Sequence, residues 1–337
     1  MMDGIRRYSQ TLFDEFGEAW NRFWFTPSNS STLSLLRILT GLIALYTHAT
    51  LTSDVVRFFA SSGLLPVEAV QEVEAIPGGF SYLNYLSTPS ELMTAHILGL
   101  VAIALFTIGL ATRVSSVLAL LVIISDVNRA PMLTSQLEPV LIMVMLYLCI
   151  GPCGRYISID SLFRRRAARE VQLQTAKQED ESSMAATISL RLIQVHLAML
   201  YGLMGISKLM TEPWWNGLGV WWLITRTESR LVDFTWLHNY PYLINFWTHA
   251  LVMFEIAFAI LIWNRLARPL LLAIAVFMWT SVALLTGQVT FALMMLVANL
   301  AFIPPEWMQE RCRRCFGGVA ETPASVPVKQ PAQRVPV

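Results

Sequence analysis

Three residues whose types and spacing could support chemistry lie in one stretch, Arg191 to Trp222, RLIQVHLAMLYGLMGISKLMTEPWWNGLGVWW. Tyr201, Gly205 and Lys208 stand at i, i+4 and i+7, so a helix would carry them on one face. Gly205 leaves a gap in that face where another backbone or a ligand can come close. A polar stripe in an otherwise apolar run is costly in lipid and needs a reason. A lysine in water is protonated at pH 7 and is no base. An apolar pocket is the setting in which such an amine gives up its proton near neutrality. The plainer alternative is an anchor, a lysine at a helix end that reaches out to the membrane interface.

Other polar residues surround this stripe in the sequence. Trp214, Trp215, Trp221 and Trp222 form two pairs seven apart, expected to line one face of an outer interfacial helix. They read either as an aromatic belt or as a platform for a quinone or lipid tail. His249 and Glu255 are six apart and do not share a helical face. Glu255 within an apolar run reads as a functional carboxylate or as the structural ion-pair partner of Arg37 or Arg191.

The elements that must position these residues follow from composition. The 337 residues are 55% hydrophobic and only 14% charged, with a mean hydropathy of +0.53. Soluble proteins average about 25% charged. Several runs approach the roughly 18 apolar residues of a membrane-crossing helix. The expected fold is all-α, a polytopic membrane helical bundle of about eight transmembrane helices with short amphipathic interfacial helices. A net charge of +1 gives no reason to expect nucleic acid as a partner.

Residues 1–31 form an N-terminal interfacial segment. Asp14, Glu15 and Glu18 interrupt any signal-peptide core, while Trp20, Phe23, Trp24 and Phe25 suit a short helix on the membrane surface. The transmembrane domain covers 32–307. Its spans are expected at Leu33–Leu51, Leu92–Leu110, Val114–Asp126, Glu138–Ile150, Thr187–Leu209, Tyr242–Trp263, Arg268–Leu285 and Gln288–Ile303. The connection after the first span can hold an amphipathic helix from Val67 to Ile76. Ala111-Thr112-Arg113 reads as a tight turn, and 155–183 as a solvated, partly helical cytoplasmic loop. Residues 308–337 read as a disordered cytoplasmic tail, and Gly317 onward lacks the apolar content to offset ordering. No internal repeat supports an inverted-repeat transporter.

With the N-terminus inside and eight crossings, most of the 24 basic residues fall on inner segments. The positive-inside rule then puts both termini in the cytoplasm and Lys208 at the outer face of an inner membrane. Cys149 and Cys153, and Cys312 and Cys315, form two inner-side pairs that would stay reduced. Four thiolates can bind zinc, but these spacings are not those of a zinc ribbon. They read as ordinary unpaired cysteines with no metal.

The pieces TLSLLRILTGLIALY, GLLP, GRYISIDSL, YGLMGISKLMTEPWWNG, HALVMFEIAFAIL and LAFIPPEW occur in this order. From Leu33 to Trp307 the chain thereby resembles the membrane domain of vitamin K-dependent gamma-carboxylase. It resembles more closely its bacterial relatives, the horizontally transferred transmembrane (HTTM) family. The resemblance implies Lys208 as the catalytic base, Tyr201 beside it, and a reduced, vitamin K-like quinone as cofactor. It also implies Glu255 as the acid of HALVMFE, and an exported peptide or protein as a partner besides the lipid bilayer. Departures limit it. The chain ends soon after the eighth span, where the carboxylase continues into a lumenal domain. The carboxylase's histidines are missing at Phe277-Met278-Trp279 and near Thr134-Ser135-Gln136. Two readings of different class follow: a membrane enzyme acting on a quinone-like or other apolar substrate, and a non-catalytic membrane protein that binds lipid or quinone, transports, or matures an exported peptide. Lys208 alone suggests that Lys208→Met should fold as well as the natural protein, since it removes a disfavoured charge.

Overall fold

A computed structural model describes residues 2–73, 79–170, 182–226, 231–304 and 307. The tail from 308, Cys312, Cys315 and the end of the Val67–Ile76 segment lie outside the described residues. Among the described residues fourteen α-helices follow in order: α1 Met2–Phe25, α2 Ser31–Thr50, α3 Val55–Phe59, α4 Val67–Val73, α5 Pro89–Ile108, α6 Thr112–Arg129 and α7 Leu137–Ile150. Then come α8 Ile159–Glu170, α9 Met184–Leu209, α10 Glu212–Trp215, α11 Gly219–Ile224, α12 Pro241–Leu261, α13 Ala267–Thr286 and α14 Val289–Asn299. The described sheet is a two-residue antiparallel pairing, Ser28 with Ser183 and Asn29 with Ser182, which ties the entries of α2 and α9 together.

Each of the eight apolar runs is a helix within a few residues of its expected limits. Five of them, α2, α5, α9, α12 and α13, are long and apolar enough to cross a membrane. Arg113, Asp126 and Arg129 keep α6 out of that group, while α7 and the α14 run to Phe302 are shorter. The α5 start shows the local logic. Thr88 Oγ1 accepts from the Glu91 N–H at 3.3 Å, the Glu91 carboxylate accepts from the Thr88 N–H at 3.2 Å, and Pro89 takes the first turn. Gly109, at φ 73°, ends the helix.

Three expectations are corrected. The turn before α6 lies at Gly109 to Ala111, so Thr112 and Arg113 already belong to the helix. Ala111 sits at φ 48° and is held there because Asp160 accepts from the N–H groups of Ala111 and Thr112 at 2.9 and 2.8 Å. The four tryptophans do not share one helix. Gly217 at φ 73° breaks the segment, leaving one pair on α10 and the other on α11. The N-terminal helix is longer than a short surface helix, covering Met2–Phe25 with Leu12, Phe13, Phe16 and Trp20 exposed.

The main apolar cluster is shared by the long helices and includes Leu36, Phe106, Val144, Ile193, Leu197, Phe258, Met294 and Ala298, all fully buried, with two smaller clusters around Phe59 and around Val220. The most extensive helix pair is α9 with α12. A Cβ on Gly205 would lie 2.8 Å from Ile256 Cγ1, so this close approach needs glycine. The gap read from the sequence is filled by Ile256 of α12, chiefly by its side chain.

Candidate functional site

Helix α9 ends with Lys208 in its last turn, where a cation suits the carbonyl end of the helix dipole. The Gly205 contact brings the next turn of α12 opposite, with Glu255 facing the lysine. Lys208 Nζ donates to Glu255 Oε1 at 2.7 Å and to Oε2 at 2.8 Å. The lysine side chain is 17% exposed and the carboxylate 4%, so the pair opens outward only on its amine side. The chain then turns at Met210 and Thr211, with the Thr211 N–H and hydroxyl both donating to the Lys208 carbonyl. Pro213 starts α10, and the Trp214 ring comes to lie 5.2 Å from Nζ.

This arrangement has definite chemical capacities. Two of the three ammonium N–H bonds are used by Glu255, leaving one donor for an oxygen presented beside Trp214. Either short contact can carry a proton between amine and carboxylate. The carboxylate is the more deeply buried of the two, and the amine keeps a partly exposed side.

Tyr201 lies two turns back along α9, fully buried, and does not touch the pair. Its hydroxyl accepts from Trp279 Nε1 at 2.6 Å and from Asn299 Nδ2 at 2.9 Å, and its ring stacks on Phe258 at 3.9 Å. Trp279 thus fills part of the stretch where the resemblance leads one to expect a histidine. Of the other candidates, Trp214 and Glu255 join Lys208. Trp215 is 63% exposed and donates to the Leu209 carbonyl. His249 is on the exposed side of α12.

The alternative ion pairs for Glu255 are corrected, because both arginines sit at the other end of the bundle. Arg37 is fully buried and donates to the carbonyls of Cys153, at 3.0 Å, and of Ile157. Arg191 stands over the Phe23 ring at 4.3 Å and donates to the Phe23 carbonyl and to Gln194 Oε1. Seventeen residues of α9 separate Arg191 from Lys208, roughly 25 Å of helix. Cys153 is buried in the loop after α7, where burial pushes its thiol up to about 11.

A second polar cluster went unread in the sequence. His48 Nδ1 meets Asp126 Oδ2 at 2.7 Å, and the His48 ring stacks on that of His96 at 4.2 Å. His96 Nε2 lies 2.9 Å from Thr52 Oγ1, which donates to the Ala49 carbonyl. The hydroxyl therefore accepts from Nε2–H, leaving Nδ1 of His96 buried with its lone pair unmatched. Ionisable residues on separate apolar runs were the available signal. Seventy-eight residues between His48 and Asp126 gave no means of pairing them.

Compared with protein-family models, curated proteins and solved structures, the chain finds no match in any of the three.

Proposed function

We propose that the chain is a multi-pass membrane enzyme of the HTTM type, in which Lys208 and Glu255 exchange a proton with a quinone-like or other apolar substrate held beside Trp214. The observation that carries this reading is the two-pronged Lys208–Glu255 contact inside two apolar helices. Ionisable groups within apolar helices are expensive and are characteristic of proton-transfer and substrate sites. The amine's partial exposure supplies an approach, and Trp214 an apolar face. In this reading all eight apolar helices span a bacterial inner membrane, both termini are cytoplasmic, and the site opens at the outer face. The missing histidines set it apart from carboxylation of protein glutamates.

Lys208→Arg tests the proposal. Arginine can keep the contact with Glu255 but cannot surrender a proton at working pH. Rescue of a deletion strain by Lys208→Arg at normal abundance would end the proton-transfer reading. Loss of rescue, together with a quinone or other lipophile identified by mass spectrometry in the purified natural protein, would support it.

A second reading, a non-catalytic lipid or quinone binder, transporter or maturation partner of an exported peptide, draws on Tyr201. Its hydroxyl is wholly engaged inside the core, so the residue expected beside the base ties helices together instead. Full rescue by the apolar pair Lys208→Met with Glu255→Leu would favour it.

A further inference from the structure

A cavity of about 480 Å³ opens at the Arg37 end of the bundle, between the start of α6, the end of α7 and the start of α8. It is independent of the Lys208 site. Gly151 in its lining packs against Ser189, and Lys208 is 19 residues further along α9, roughly 28 Å of helix. Three arginines are among the residues that line it, Arg113, Arg155 and Arg164, together with Leu148 and Phe163.

Its charge balance is positive. Asp160 is the acidic residue in the lining, and its carboxylate is committed to the fold, accepting from the N–H groups of Ala111 and Thr112 and from Thr112 Oγ1 at 2.6 Å. The α6 N-terminus is therefore already capped and is not what an anion would meet. Arg164 gives one N–H to the Gly154 carbonyl at 2.8 Å and keeps its other donors; Arg113 is exposed. Buried Arg37, bonded to the carbonyl of Cys153 in the cavity lining, adds positive charge behind the wall.

The surroundings say which kind of anion fits. The cavity lies at the ends of two apolar helices, level with a basic helix whose Leu162 and Phe163 are both 58% exposed. Arginines beside outward apolar side chains are the pattern of a helix lying in a membrane interface. A free phosphate would need the cations but not the Leu148 and Phe163 walls. We propose that this cavity binds the phosphate headgroup of an anionic phospholipid, with Arg113 and Arg164 on the phosphate and the acyl chains running along α6 and α7. Basic pockets between membrane helices take such headgroups by the same combination of charge and apolar wall.

The test uses the full-length protein in detergent, titrated with dioleoyl phosphatidylglycerol, with dioleoyl phosphatidylcholine, or with sodium phosphate, and read by native mass spectrometry and thermal unfolding. Phosphatidylglycerol should bind more tightly than phosphatidylcholine. At about 1 kcal/mol per arginine, Arg113→Gln should weaken it about fivefold, and Arg113→Gln with Arg164→Gln roughly 25-fold. The exposed pair Arg57→Gln with Arg226→Gln, on other surfaces, should change nothing. Arg113 alone suffices should the double variant lose the Gly154 contact and fail to fold. Unchanged phosphatidylglycerol binding in Arg113→Gln would overturn the proposal, as would an equal loss in the Arg57/Arg226 control. A stabilisation by sodium phosphate equal to that by phosphatidylglycerol would assign the cavity to a soluble anion and overturn the lipid.

Discussion

Two kinds of region in the bundle bury cations differently, arginines on backbone carbonyls and a lysine and a histidine on carboxylates. At one end Arg37 gives its guanidinium to the backbone carbonyls of Cys153 and Ile157, in the loop that follows α7. Arg129 does likewise at the opposite end of the helices, donating to the Leu65 carbonyl at 2.6 Å beneath the Phe59 ring. Lys208, and His48 if protonated, face a carboxylate instead. A rigid planar fork on carbonyls fixes a loop and has no proton to exchange. An amine or imidazole on a carboxylate shares a mobile proton. The arginines read as staples, and the lysine and histidine pairs are where proton chemistry can occur.

The largest expected effect would come from breaking a staple. Arg37→Met leaves the Ile157 carbonyl without its arginine donor and the Cys153 carbonyl with Ser34 Oγ alone, and it empties part of a fully buried site, so a loss of about 4 kcal/mol is expected in thermal unfolding in detergent. A near-silent Arg37→Met would erase the distinction between the arginine staples and the lysine and histidine pairs.

Lys208→Met comes next, and the structure reverses the expectation drawn from the lysine alone. The methionine strands Glu255, and removing one member of a buried pair costs about 3–5 kcal/mol, toward the lower end here because the amine is partly exposed. Adding Glu255→Leu should recover stability to within about 1 kcal/mol of the natural protein, since apolar replacements of buried pairs are often neutral or better. Failure of the second change to rescue the first would show that the two residues are not energetically coupled.

Tyr201→Phe should cost about 1–2 kcal/mol, from the unpaired Trp279 N–H and Asn299 amide, softened by the modest worth of hydrogen bonds within membranes. Function retained at normal abundance would confine Tyr201 to the core. Gly205→Ala is the smallest of the set. Its methyl meets Ile256 Cγ1 at 2.8 Å and should cost about 1–2 kcal/mol as α9 and α12 part slightly. A larger drop in function than in stability would show that the Lys208–Glu255 distance matters to more than folding.

Much of the fold was legible, for identifiable reasons. An apolar run long enough to be a buried or membrane helix declares itself locally, but its end does not: the turn before α6 starts at Gly109 and not at Ala111. The break at Gly217 was less legible. A glycine between two tryptophan pairs fits a helix or a turn, and only packing against Asn245 and Thr248 favours the turn. One helical face was legible too, although only Lys208 on it belongs to the site. Tyr201, Gly205 and Lys208 share a helix, so periodicity suffices to align them.

The amino-acid sequence by itself determined that the protein is helical and membrane-like, where its apolar helices lie, and that Lys208 and Glu255 are polar exceptions within them. Those properties depend on composition and on spacing along one helix. Tertiary structure alone decided the partners: Glu255 for Lys208 across 47 residues, the Cys153 carbonyl for Arg37 across 116, Asp126 for His48 across 78. No local pattern encodes such pairings, because each follows from how whole helices register against one another. At α9 and α12 that register is set by a glycine that lets two backbones meet and so leaves the nearest carboxylate beside the lysine.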